Sequence, residues 1–344
     1  MRKMIKSFLH VGLMAALVGM LPINVSADTI KIGSIAPPKN GHTLSLMKIA
    51  DELREETGGR IDMQVFPLGQ LGNERSLCTQ VQSGTLEMVS ATTSVLQNFI
   101  PEVAVIDLPF MFPDIKTAHA VEDDPAFQEK LFSYFGKKGF VGLGFSEDSL
   151  RQMWNTKRPI RKPEDFKGLK IRTMNSPMML ETFKALGASP VGIPFPEVYS
   201  ALQTGVADGV NASYVASTMM KFPEVTKYLT VSEFHMNTPI NVANIDWWES
   251  LSAEDQKLIK DAFGRATKYN REMNDHVAAH LPPDGKRSVD DYFKDQKVEI
   301  ATLTAEEREA FKKALAPVWE EYRKKLGNDL VDFVVDKVKE HSAM

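Results

Sequence analysis

The stretch that decides the fold reads GLKIRT (168–173) and then, after a helical interval, GIPFPEVYSALQTGVADGV (192–210). LKIRT (169–173), ASPVGI (188–193) and VADGVNA (206–212) have the length and apolar content of short strands, and the helical patterns Pro177–Leu186 and Pro196–Gln203 separate them. Strand–helix alternation of this kind predicts an α/β layer structure. Arg172 closes an otherwise apolar strand, and strand ends in open α/β sheets face the ligand crevice. Its planar donor fork matches a carboxylate in two-bonded geometry. On these residues alone Arg172 is either a structural ion-pair partner or a ligand clamp.

The same alternation extends upstream. TIKIGSI (29–35), IDMQVFP (61–67), LEMVSA (86–91) and KGFVGLGFS (138–146) read as strands. Helical patterns at His42–Thr57, after GQLGN (69–73) and over Pro113–Phe135 lie between them. Regular alternation predicts a mostly parallel sheet. QMWNT (152–156) starts the second series, YLTVSEFHM (228–236) and PINVANI (239–245) are back-to-back extended runs, and the chain is then helical almost to its end. Apolar residues from Leu258 to Met273 predict one long helix over Ala253–Val277. Two α/β lobes joined near 148–152 and 236–240 make a clamshell: residues 28–148 plus 238–277 in lobe I, and 149–237 plus 278–344 in lobe II, with a ligand cleft between them and hinges at the crossings.

The first 27 residues set the compartment. Arg2, Lys3 and Lys6 precede the apolar run Val11–Leu21 and the small residues Val25-Ser26-Ala27, the order of a secretory signal peptide. With no cysteine near the cleavage point, a soluble periplasmic product without a lipid anchor is expected. Removing 1–27 takes away three basic residues and no acid, moving the net charge from −4 to −7. That balance, without basic runs, argues against nucleic acid and anionic membrane surfaces. Cys78 is the single cysteine, so no internal disulfide forms, and its place in an amphipathic helical pattern predicts a packing role.

Catalytic signatures are missing: no G-x-x-x-x-G-K-[ST], H-E-x-x-H or G-x-S-x-G is present, and GLG (142–144) lacks the third glycine of a dinucleotide turn. His276 and His280 lie four apart on the long helix, but nothing completes a metal site, so they read as helix surface. No enzyme activity, cofactor or metal is expected. Arg151 stands at the first lobe crossing, Phe195 is held between Pro194 and Pro196, and Asn211 and Tyr214 follow the ADG turn. They converge on one cleft only in the clamshell arrangement. Trp154, Met178 and Met179 are either apolar cleft walls or core.

TGGRIDMQVFPLGQLGNER (57–75), NFIPEVAVIDLPFMF (98–112), RPIRKPEDFKGLKIRT (158–173) and GIPFPEVYSALQTGVADGV (192–210), in this order, resemble the motifs of the solute receptors of tripartite ATP-independent periplasmic (TRAP) transporters, the DctP family. The resemblance spans nearly the whole mature chain. It implies a clamshell of the periplasmic binding protein type II kind, with the long helix spanning both lobes and further C-terminal helices. It further implies capture of a small organic acid, delivery to membrane transporter subunits for ion-coupled uptake, and a monomer. A receptor presenting the acid to a membrane sensor would use the same site. By the resemblance, Arg172 is the carboxylate anchor, Arg151 a second arginine and Phe195 the aromatic residue of the turn. The family asparagine is one position early here, so Asn211, Ser213 or Tyr214 takes its role. Thr92 stands where sialic acid receptors carry a glutamate, which argues against that ligand, and His42 completes the candidate set.

Overall fold

The computed structural model describes residues 28–147, 149–236, 238–279 and 289–343. The expected signal peptide and His280 lie outside these residues, as does the side chain of His276. The strands are β1 (Asp28–Ser34), β2 (Ile61–Phe66), β3 (Met88–Thr92), β4 (Phe140–Phe145), β5 (Gln152–Asn155) and β6 (Lys170–Thr173). They continue as β7 (Ser189–Gly192), β8 (Gly209–Ala212), β9 (Tyr228–Val231), β10 (Pro239–Asn244) and β11 (Glu299–Thr302). The helices of the first half are α1 (Gly41–Glu56), α2 (Glu74–Gln82), α3 (Thr93–Leu96), α4 (Ile115–Asp123), α5 (Pro125–Phe132) and α6 (Pro177–Ala185). Then follow α7 (Val198–Gln203), α8 (Tyr214–Met219), α9 (Ile245–Ser250), α10 (Ala253–Ala279), α11 (Val289–Asp295), α12 (Ala305–Leu326) and α13 (Asn328–Ser342).

Two sheets carry the fold, a five-stranded one in the order β2-β1-β3-β10-β4 and a six-stranded one in the order β11-β9-β5-β8-β6-β7. The expectation of mostly parallel sheets holds for β1 with β2 and β3, and for β6 with β7 and β8. It fails at β10, which runs antiparallel between β3 and β4, and at β5, antiparallel to both β8 and β9. Each is a strand that the chain enters on crossing from one sheet to the other. It therefore needs no right-handed helical crossover, which is what would force parallel pairing.

Three further expectations are corrected. The single helix over Pro113–Phe135 is two, because Pro125 has no N–H to continue α4 and the Asp124 side chain instead accepts from Ala126 N (2.8 Å) and Phe127 N (3.1 Å) to start α5. The extended run to Met236 stops at Val231: Glu233 has φ of 47°, and Gln152 Oε1 accepts from Ser232 N (2.8 Å) and Glu233 N (3.0 Å), replacing ladder partners. Edge strand β11, read as part of a helical tail, pairs parallel with β9. The long helix α10 has 27 residues and packs chiefly on α1 and β4, reaching α8 beyond them. Among the described residues no helix is long and apolar enough to cross a membrane.

The two crossings lie side by side. Leu150 and Met236 form an antiparallel bridge, Arg151 N donates to His235 O (3.0 Å) and Phe234 N donates to Arg151 O (3.2 Å). Phe234 is buried against Phe110 and Phe183, with ring centroids 5.1 Å and 5.8 Å away, so the apolar core runs behind the crossings from one sheet to the other. Cys78 is buried in this core with a free thiol. The ADG motif is explained by packing. A Cβ on Gly209 would lie 2.6 Å from Trp154 O, while the Asp208 carboxylate accepts from Lys170 N (2.9 Å) and so ties β6 to β8.

Candidate ligand-binding site

Between the sheets lies a cleft that is partly open to solvent. Arg151, Arg172, Phe195, Thr92 and His42 line it together. Each arrives by a separate local device. β3 alternates, so Ser90 and Thr92 point the same way while Ala91 is buried in the core. α1 begins at Gly41 because Asn40 Oδ1 accepts from His42 N (2.9 Å), which sets His42 in the first turn at the end of β1. The proline-flanked turn before α7 presents Phe195, half-buried, against Phe222 at 6.2 Å.

Arg172 is 1 % exposed. Its Nε donates to Ile193 O (2.8 Å), its guanidinium sits 5.9 Å from the Phe195 ring centre, and its terminal nitrogens have no acceptor among the described residues. Burial, and then repulsion from Arg151, lower its pKa to about 9, while Glu74 pulls it back up; it stays protonated at neutral pH. Arg151 is also buried, with Nε donating to Asn211 Oδ1 (2.8 Å) and Nη2 to Asn211 O. Two guanidiniums in one low-dielectric wall repel each other, and an anion between them removes several kcal/mol of that cost.

Asn211 and Tyr214 do not line the cleft. Asn211 is buried behind Arg151, and its Nδ2 donates to Gln152 O (3.3 Å). Tyr214 packs edge-on against Trp154 (6.4 Å) and stacks on Phe293 (5.8 Å). Trp154, Met178 and Met179 are buried in the core. Thr92 Oγ1 donates to Met174 Sδ (3.8 Å) across the cleft, and Gln97 Nε2 donates to Ser176 Oγ (2.8 Å) just behind, so the two walls already touch.

Several cleft residues escaped the sequence reading, among them Glu74, Ser90 and Asn40. Glu74 opens α2 and resembles an ordinary acid in a helix first turn, favoured there by the helix dipole. It is instead 6 % exposed, with Oε1 accepting from Thr92 N (2.5 Å). Burial raises its carboxyl to about 7 against the opposing Thr92 hydrogen bonds and the charges of Arg172 and Arg151. His42 Nε2 lies 2.6 Å from Ser90 Oγ, a nucleophile–base spacing. Burial, however, lowers His42 to about 4, so it is too weak a base at neutral pH to activate a hydroxyl.

Of groups able to gather round a metal, the described residues offer Asp124, Glu340 and His341, away from the cleft. Asp124 already accepts from Lys337 Nζ (2.8 Å) and lies 3.1 Å from His341 Nε2. That cluster is a clasp between α13 and the start of α5.

Comparison with known proteins agrees with this geometry. A solute-binding protein of Verminephrobacter eiseniae is 33 % identical over 88 % of this chain and 87 % of its own length. The C4-dicarboxylate-binding periplasmic protein of Shewanella loihica is 29 % identical over 96 % of both chains. The sugar acid binding protein of Advenella mimigardefordensis, solved in complex with galactonate, superposes with a TM-score of 0.83 at 29 % identity, covering 91 % of this chain and 98 % of that one. The sequence model described as bacterial extracellular solute-binding protein, family 7, matches residues 32–325, and the chain belongs to that family, the DctP family of TRAP solute-binding proteins.

Proposed function

We propose that this protein is a periplasmic receptor that captures a small organic acid in the interlobe cleft and delivers it to the membrane subunits of a TRAP transporter. The observation that carries this reading is the pair of buried guanidiniums on one wall, one with terminal nitrogens that have no protein acceptor among the described residues. The ligand carboxylate docks on Arg172 in the two-bonded mode, with Arg151 beside it, and Phe195 packs on the carbon skeleton. A charge-assisted pair contributes roughly 1.5–3 kcal/mol net. Micromolar capture needs about 8 kcal/mol, so closure over the ligand and exclusion of water supply the rest.

The lobes are residues 28–148 plus 238–277 and 149–237 plus 278–344, and they hinge at the paired crossings around Leu150 and Met236. Relatives named for a C4-dicarboxylate and for a sugar acid support the carboxylate reading, since both ligand classes share that group. The basic-apolar-small order of the first residues supports export. The family consists of receptors, and the protonation state of His42 supports binding without turnover.

Calorimetry of the mature chain against mono- and dicarboxylates tests the reading. Saturable binding of a carboxylate that disappears in a folded Arg172→Ala variant is expected; undiminished affinity in that variant refutes it. Uptake of the same acid by cells carrying the TRAP membrane subunits, dependent on this receptor, separates delivery from presentation to a sensor.

A further inference from the structure

We propose that the C-terminal hairpin of α12 and α13 is a strap tied to both lobes behind the hinge, and that it sets how readily the ligand cleft opens. The inference rests on the two-lobe receptor reading above and goes beyond it by giving the last two helices a conformational role. α12 packs on α6, where Lys325 Nζ pairs with Glu181 Oε1 (3.0 Å). In its first turn Glu307 Oε1 accepts from Arg161 Nε (2.7 Å), in the segment between β5 and β6. α13 packs instead on α4, in the other lobe. There Asp124 Oδ2 accepts from Lys337 Nζ (2.8 Å) and lies 3.1 Å from His341 Nε2. One hairpin thus grips the second lobe by its first helix and the first lobe by its last.

The hairpin also touches the hinge. Arg308 Nη2 donates to Glu233 Oε2 (2.9 Å), and the Phe311 ring lies 6.4 Å from that of Phe234, both partners belonging to the second crossing. Trp319 Nε1 donates to Pro109 O (3.0 Å), and Leu315, Val331 and Val334 are buried in the core that runs behind the crossings. The elbow between the helices is Gly327, at φ of 87° and ψ of 139°. A Cβ there would meet nothing within 4 Å, so the backbone conformation rather than crowding calls for glycine. In the arrangement described, the cleft walls touch and both ends of the strap are seated. A rotation that parts the walls bends this elbow or unseats one end, so the strap's contacts favour the closed arrangement by their difference between the two states. The Asp124 side chain is 10 % exposed, which shields its pairing with Lys337 from water and salt.

The test releases the α13 end and leaves the cleft intact. One variant of the mature chain combines Lys337→Ala with His341→Ala; another is Asp124→Asn, which keeps the oxygen that caps α5. Without ligand, both should expand relative to wild type in small-angle X-ray scattering, and both should return to the wild-type curve when saturated. The probe is the tightest binder among succinate, L-malate, D-galactonate and D-gluconate, and its dissociation rate should rise about threefold to tenfold in the variants. In the wild type the same acid should raise hydrogen-exchange protection across Asn328–Ser342, none of which lines the cleft. Folded variants with wild-type scattering and dissociation rate overturn the proposal. So does a lowered melting midpoint with an unchanged dissociation rate, since the clasp then only stabilises α13. If none of the four acids binds folded wild type, the carboxylate reading fails, and the strap stands or falls on the ligand-free scattering of the variants.

Discussion

The two walls of the cleft are built on opposite principles. The wall from the six-stranded sheet concentrates positive charge, Arg172 on β6 and Arg151 ahead of β5, each held by protein acceptors at Ile193 O and Asn211. The wall from the five-stranded sheet is neutral or acidic, with Ser90 and Thr92 on β3, His42 on α1 and Glu74 on α2. Both walls are largely buried, and the two guanidiniums lie on one of them. The asymmetry matches the proposed orientation of the ligand, with its carboxylate toward the arginines.

The largest effect comes from breaking the cationic wall. Arg172→Ala removes one member of a buried charged contact, so ligand affinity should fall by ~3–5 kcal/mol, to below detection in calorimetry, with the far-UV spectrum unchanged. Arg172→Lys keeps the charge but loses the fork and the Phe195 stacking, and recovery of more than a small part of the affinity would count against bidentate docking. Next in size is Asn211→Ala, which removes the Oδ1 that accepts from Arg151 Nε and keeps the backbone O that accepts from Nη2. The expected loss is ~1–3 kcal/mol in binding, and unchanged affinity would remove Arg151 from the site.

The acidic wall is probed through pH. Burial raises Glu74 above its unfolded value, so ionisation opposes folding: its cost is absent below about pH 4.5, grows as pH rises, and is complete above about 7. Glu74→Gln should therefore gain stability relative to wild type between those values, by ~3 kcal/mol at most, read as the difference in denaturation midpoints at acid and alkaline pH. A constant difference would mean that Glu74 is not desolvated. The smallest effect belongs to the contact behind the cleft. Gln97→Ala deletes the hydrogen bond to Ser176 across the walls and should raise the ligand dissociation rate a few-fold, measured by stopped flow, since an exchanged hydrogen bond is worth about 1 kcal/mol.

Much of this was legible in the sequence. The strands β1 to β8 and β10, the helix α1 and the long helix α10 follow from periodicity and caps, and Arg172 stood out as a cation ending an apolar strand. Other elements were hidden. β11 is four residues long at a sheet edge, too short to carry a period. Asp124-Pro125 splits a helix whose apolar pattern runs on through the break. Asn211 could be read as a ligand contact because nothing in the ADGVN segment says whether an amide faces the cleft or the arginine behind it. Glu74 was invisible for the opposite reason, since an acid in a helix first turn is ordinary until another element covers it.

The sequence by itself determined the alternation of strands and helices, the basic-apolar-small order of the first residues, the lack of catalytic motifs and the arginine offered at a strand end. These rest on local rules of period, capping and side-chain chemistry, acting over a few residues. Only the tertiary structure decided that Arg151 and Arg172 share one wall, that Asn211 stands behind it, and that Glu74 and His42 are dry enough to lie near 7 and 4. Burial and proximity belong to segments far apart in the chain, and they alone turn an ordinary first-turn acid into a buried carboxyl facing two guanidiniums.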